Sequence, residues 1–206
     1  MFSPKYFQMK DKEEVIRFME EHSFVTIVTV KSGQPIATHI PVQLQREGEN
    51  YVITGHLAYA NPQWRTFMDS RVLVIYQGPH AYISSSWYSH ENVPTWNYQA
   101  VHAYGQATLL NEQELQADLT KQLQKYELHR EQPVLWETLS SELLTQQLKG
   151  IVGFKIRIDD IQATYKLSQN RNEQDFQQIM KQLEHEPQPS AQHVAEAMRK
   201  LKGNNR

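Results

Sequence analysis

The chain has 206 residues, with 21 Lys+Arg against 23 Asp+Glu, a formal net charge of −2 and 39% hydrophobic residues. At ~150 residues per domain this is one large domain, or one domain with an appendage. Cysteine is absent, which excludes disulfides, thiolate metal sites and a cysteine nucleophile, and a pI of about 6.5 argues against broad nucleic-acid affinity. No apolar stretch approaches the ~18 residues of a membrane span. The start MFSPKYFQMKDKEE has no basic region ahead of an apolar run, so no signal peptide and a cytoplasmic location are expected.

Asp11-Lys-Glu-Glu14 reads as a capping box opening a helix to Glu21, with Val15, Phe18 and Met19 on one face. Phe24–Val30 is β-branched enough for a buried strand. Ser32-Gly33 supplies a hairpin turn, and Pro35–Ile40 returns as the second strand, ended or placed at an edge by Pro41. Arg46–Asn50 is a polar turn before a third strand, Tyr51–His56. Asn61-Pro62 has the N-cap and N1 residues of a short helix.

Val72–Tyr76 is the fourth strand, which Ala81–Ile83 extends, before an aromatic, Ser-rich loop from Ser84 to Thr95. Trp96–Leu110 reads as a long strand bent near Gly105. Helical segments follow at Asn111–Tyr126 and near Leu135–Leu148. Gly150–Ile158 is a strand, with Asp159-Asp160 as a turn and Ile161–Leu167 as its hairpin partner. Beyond Asn172 the chain is helical, and Ser190 caps a last helix whose cations are Arg199, Lys200, Lys202 and Arg206. About six strands in antiparallel-looking order favour a closed or half-closed β-barrel with peripheral helices over a βαβ fold.

Polar donors and aromatics concentrate in the middle third. Thr38-His39, Thr54-Gly-His56, Asn61, Gln77-Gly-Pro-His80, Ser84-Ser-Ser-Trp-Tyr88 and Trp96-Asn-Tyr98 lie at strand ends and in loops, where binding residues gather on a rigid sheet. The mixture suits a ligand with a flat ring, a polyol and an anion. Each residue taken singly also reads as a half-buried core aromatic, a satisfied strand histidine or a solvated turn. His39, His56, His80, His90 and His102 lack the short spacings of a metal motif. Neither G-x-S-x-G, the dinucleotide fingerprint nor a P-loop is present. The C-terminal helices mimic a helix-turn-helix, but a solvated end explains their basic residues equally well.

Ala37-Thr-His-Ile-Pro41, Gly55-His-Leu-Ala58 with Ala60-Asn-Pro-Gln-Trp64, Gln77-Gly-Pro-His-Ala-Tyr-Ile-Ser84, Val93-Pro-Thr-Trp-Asn-Tyr98, Gly150-Ile-Val-Gly-Phe154 and Lys166-Leu-Ser-Gln-Asn-Arg171 together resemble the PaiB-type FMN-binding negative transcriptional regulators. That group is named for repressing protease synthesis and sporulation. The likeness runs in order from Pro4 to about Arg171, with Tyr59 where the family often carries a basic residue and Ser85 where it usually has proline.

The resemblance implies a mainly β fold with peripheral helices, a split β-barrel of the pyridoxamine-phosphate-oxidase-like, FMN-binding type. It would occupy residues 1–171 with inserted helices at about 111–148, and 172–206 would form a C-terminal helical extension. It also implies a homodimer with FMN at the subunit interface. Thr38, His39, Thr54, His56, Asn61 and Gln77 are then expected on the ribityl chain and phosphate. Trp87, Trp96 and Asn97 would line the isoalloxazine, and Lys166 and Arg171 would be the remaining cations. The functional expectation is a cytoplasmic repressor acting on DNA directly or indirectly. The alternatives are a flavin-dependent oxidoreductase, a macromolecule-binding barrel without a ligand, and a haem protein with His39 or His56 as axial ligand.

Overall fold

The structure, a computed structural model, describes residues 1–203. Two compact units are present, each discontinuous in sequence. One comprises Met1–Phe18, Gln77–His102 and the chain from Gln162 onward, and the other Met19–Tyr76 and Ala103–Ile161. The elements are α1 (Lys12–Glu21), β1 (Phe24–Lys31), β2 (Gln34–Pro41), β3 (Gln43–Glu47), β4 (Asn50–Ala58), β5 (Val72–Ile83), β6 (Thr95–Leu109), α2 (Glu112–Glu127), α3 (Ser141–Leu148), β7 (Ile151–Lys166), α4 (Glu173–His185) and α5 (Pro189–Gly203). The strands form a seven-stranded sheet in the order β2-β1-β5-β6-β7-β4-β3. It ends in two edges, β2 and β3, so the sheet is open and not a closed barrel.

In the Met19–Tyr76/Ala103–Ile161 unit, Ser32 (φ 50°) and Gly33 (φ 80°) both adopt left-handed backbone. That is the two-residue turn whose twist suits a hairpin, and it pairs Lys31 with Gln34 and Phe24 with Pro41. Alternation along β1 buries Val25, Ile27 and Thr29. Phe67 and Phe154 meet edge-to-face at 5.1 Å in the core. In the other unit Asp11 receives the Glu13 and Glu14 NH groups at 3.0 and 3.2 Å and starts α1. Val15 and Phe18 are buried as the pattern predicts, with Phe18 5.4 Å from Tyr165. α4 and α5 pack on each other, and Phe176, Ile179, Leu183, Val194 and Met198 on them are buried.

Three elements differ from expectation. β3 has a strongly polar sequence, Gln43-Leu-Gln-Arg-Glu47, and was hidden for that reason; its backbone pairs with β4 from Gln43↔Thr54 to Glu47↔Asn50. β7 runs unbroken from Ile151 to Lys166. The turn expected at Asp159-Asp160 is absent because neither residue takes the positive φ that a two-residue hairpin turn needs. Ser190 does not cap α5, which starts at Pro189; its hydroxyl instead accepts from the His80 NH at 3.0 Å and donates to the His80 carbonyl at 2.7 Å. Of the C-terminal cations, Arg199 pairs with Glu184 and Lys202 with Glu173. Arg206 lies outside the described residues.

Gly105 is the tightest point in the sheet. A Cβ there would stand 2.1 Å from the Arg157 carbonyl oxygen, which is backbone and cannot give way. Gly105→Ala should therefore cost about 3 kcal/mol or more in urea unfolding. Gly33→Ala, in open space at φ +80°, should cost only about 1 kcal/mol. Equal costs at the two positions would contradict the close approach of β6 to β7.

Candidate functional site

The Met19–Tyr76/Ala103–Ile161 unit carries two polar clusters. At the first, Asn61 caps the 3-10 turn Pro62–Thr66 by accepting from the Gln63 NH, and its amide donates to Thr38 Oγ1 at 2.9 Å. Thr38 in turn donates to Gln63 Oε1 at 2.5 Å. The buried Gln63 amide donates to the Ile27 and Ile36 carbonyls and to Thr29. This network fastens the turn to β1 and β2. His39, the next residue on β2, faces the other way, is exposed, and shares a 2.9 Å hydrogen bond with Thr26.

The second cluster centres on Asp118 of α2. Its Oδ1 accepts from Thr54 at 2.5 Å, Gln45 at 2.8 Å and Gln43 at 3.1 Å. Lys121, one turn on, donates to Gln45 Oε1 at 2.7 Å. His56 lies on the same face of β4 as Thr54, two residues away. Asp118 Oδ2 and His56 Nδ1 are both buried without a hydrogen-bond partner among the described residues. Burial holds the Asp118 carboxyl above the usual carboxylate range, opposed by Thr54, His56, Lys121 and Gln45. Burial also lowers His56, against the pull of Asp118.

The other unit holds the remaining candidates. Asn97 is fully buried and exchanges hydrogen bonds with Ser168 at 2.9 and 3.1 Å. Trp96 points to the opposite face of β6, 53% exposed, with the Tyr82 ring at 5.9 Å and the His80 ring at 6.2 Å. Gln77 is exposed on β5, and Trp87 is half-buried on the 3-10 turn Ser85–Trp87.

Lys166 and Arg171 are brought together at the end of β7 and just beyond it. Lys166 donates to Thr95 Oγ1 at 2.5 Å. The Arg171 guanidinium lies 5.0 Å from the centroid of the Tyr88 ring. Burial, then the nearby Arg171 charge, lowers the Lys166 ammonium below its ordinary range. Neither cation has an ion-pair partner among the described residues.

Two neighbouring cations with no ion-pair partner among the described residues are the kind of donor set that suits an anion. Together with Thr95 and the aromatic residues Trp87 and Tyr88 in the same unit, this donor set fits the phosphate and ring of a flavin mononucleotide. The hydroxyls of Thr38 and Thr54, by contrast, are committed to protein partners. Sequence reasoning gave no site role to Gln63, Asp118, Thr95 or Ser168. Gln63, Thr95 and Ser168 lie inside the motifs that carry the family resemblance, and Asp118 is an acid three residues from Leu115 on the apolar side of a helix.

The family model described as "Putative FMN-binding domain" matches residues 1–160. The protease synthase and sporulation protein PAI 2 of Bacillus subtilis (strain 168) is 58% identical over 199 residues, 96% of each chain. Among solved structures, the flavocytochrome Anf3 of Azotobacter vinelandii superposes with a TM-score of 0.59 at 16% identity, over 84% of this chain and 75% of that one. The FAD and heme binding protein of Mycobacterium smegmatis gives 0.56 at 14% identity, over 77% and 73%. At these identities the structural likeness shows the fold. It is the mainly β, split-barrel class that the sequence resemblance implied, with helices at the periphery. No helix among the described residues is long and apolar enough to cross a membrane.

Asp118 yields a stability prediction. A carboxyl raised on folding contributes stability that is full below the ordinary carboxylate range and is lost as pH rises through the folded value. His56, lowered on folding, works in the opposite sense. Asp118→Asn keeps an acceptor and drops the buried charge, so its melting temperature should gain on wild type as pH rises above the ordinary carboxylate range. Asp118→Ala removes the acceptor that Thr54, Gln45 and Gln43 share and should cost about 3 kcal/mol. Parallel pH curves for wild type and Asp118→Asn would show that burial does not govern this carboxyl.

Proposed function

The chain belongs to the PaiB-type family of FMN-binding domains, and on that premise we propose that it is an FMN-binding regulator that restrains protease production and sporulation as a homodimer. The observation carrying the ligand half is the Lys166–Arg171 pair. The two cations lie near one another and neither has an ion-pair partner among the described residues, an arrangement that a phosphate dianion would stabilise. The B. subtilis relative, a protease synthase and sporulation protein, supports the regulatory half.

In this reading Lys166 and Arg171 bind the phosphate, and neighbouring groups hold them in place. Thr95 fixes the Lys166 ammonium, and the Tyr88 ring supports the Arg171 guanidinium. Trp87 and Trp96 offer planes to the isoalloxazine, and the exposed Tyr82–Trp96 face suits cover by a second copy. FMN, when bound, supplies a redox-active chromophore whose chemistry is its own. Arg199 and Lys202 of α5 pair with glutamates, which reduces the charge that this helix would offer to DNA.

FMN titration followed by flavin fluorescence tests the assignment. Lys166→Ala and Arg171→Ala should each weaken binding about tenfold, and the double variant about a hundredfold, with unchanged melting temperature. A strain producing the double variant in place of wild type should release protease as a deletion strain does. Wild-type FMN affinity in the double variant would remove the site assignment.

A further inference from the structure

One buried carboxylate is not used by the reading above. Asp175, in the first turn of α4, is 0% exposed. Its Oδ1 accepts from the Ser89 NH at 2.8 Å and its Oδ2 from the Asn172 amide at 2.8 Å. The His90 imidazole stands 3.3 Å from the same Oδ2. Asp175 completes a reciprocal cap with Asn172, whose Oδ1 accepts from the Asp175 NH at 2.8 Å.

These contacts join two short chain segments. Ser89 and His90 directly follow Tyr88, and Asn172 directly follows Arg171. Tyr88 and Arg171 are the two members of the cation–aromatic contact described above. The other fastenings within Ser84–Thr95 include the Ser84 cap on the Ser86 NH, the packing of the Ser85–Trp87 turn on α4, and Thr95 on Lys166. We propose that Asp175 is a latch: a positioning residue that ties the Ser84–Thr95 loop to the start of α4 and so holds Tyr88 against Arg171 in the phosphate-binding arrangement.

The charge on the latch is secure. The Ser89 NH first, and then the Asn172 amide and His90, keep the Asp175 carboxyl below the usual carboxylate range. His90 is the titratable group that faces it, and its side chain is more than half exposed. The inference rests on the FMN reading for its consequence, but the latch itself is measurable without ligand.

Hydrogen exchange read by mass spectrometry on ligand-free protein tests the tie, and FMN titration tests the consequence. Asp175→Asn should speed exchange of the 84–95 amides about tenfold while β1 and β4 stay protected, and should weaken FMN about tenfold. His90→Ala, a surface change that spares folding, should shift both readings in the same direction by a smaller factor. Asp175→Glu should recover part of the FMN affinity, which a general loss of stability would not. Unchanged exchange in Asp175→Asn would overturn the latch. Faster exchange with wild-type FMN affinity would overturn its link to the site. Failure of the wild-type protein to bind FMN would sink the functional reading, while the exchange comparison would still judge the latch.

Discussion

The contact on which the sheet depends is between two backbones. At Gly105 the central strand β6 comes so close to β7 that a single methyl group would overlap the Arg157 carbonyl. β5, β6 and β7 are 12, 15 and 16 residues long and each contributes residues to both compact units. Long strands of this kind fix which side chains share a face over many residues. Within one of those units the start of β6 and the end of β7 bring Thr95 and Lys166 into a hydrogen bond. The proposed anion site is built on that pairing.

Two buried carboxylates show how differently the same group is used. Asp118 takes three donors on one oxygen and none on the other, and desolvation wins: its carboxyl is raised. Asp175 receives a backbone NH on one oxygen and a side-chain amide with an imidazole on the other, and hydrogen bonding wins: its carboxyl is lowered. The first fastens α2 to β3 and β4. The second ties a loop to a helix start beside the cation pair. Burial is the leading influence on the first, and the Ser89 backbone NH is the leading influence on the second.

Much of the fold was legible because local chemistry and global structure agree. Ser32-Gly33 can make the hairpin turn it makes, Asn61-Pro62 caps the turn it was expected to cap, and Val15 and Phe18 lie on the buried face of α1. Legibility failed where backbone pairing overrode composition: Gln43–Glu47 looks like a loop and pairs as a strand, and Asp159-Asp160 looks like a turn and stays extended. For the site, adjacency in sequence misled. Thr38 and His39, or Trp96 and Asn97, cannot face one ligand from a strand, because successive side chains point to opposite sides. Partners such as Asp118 for Thr54, 64 residues away, leave no trace in spacing. The cofactor itself came from the family resemblance and not from any pattern of residues.

The central claim is that this chain holds FMN, and the most direct measurement is the visible absorption spectrum of the purified protein, followed by FMN titration to saturation. The account predicts a flavin band that copurifies, or that saturates at about one FMN per chain. A colourless protein that takes up no FMN across the titration would contradict it, and would leave Lys166 and Arg171 as a cation pair waiting for a different anion.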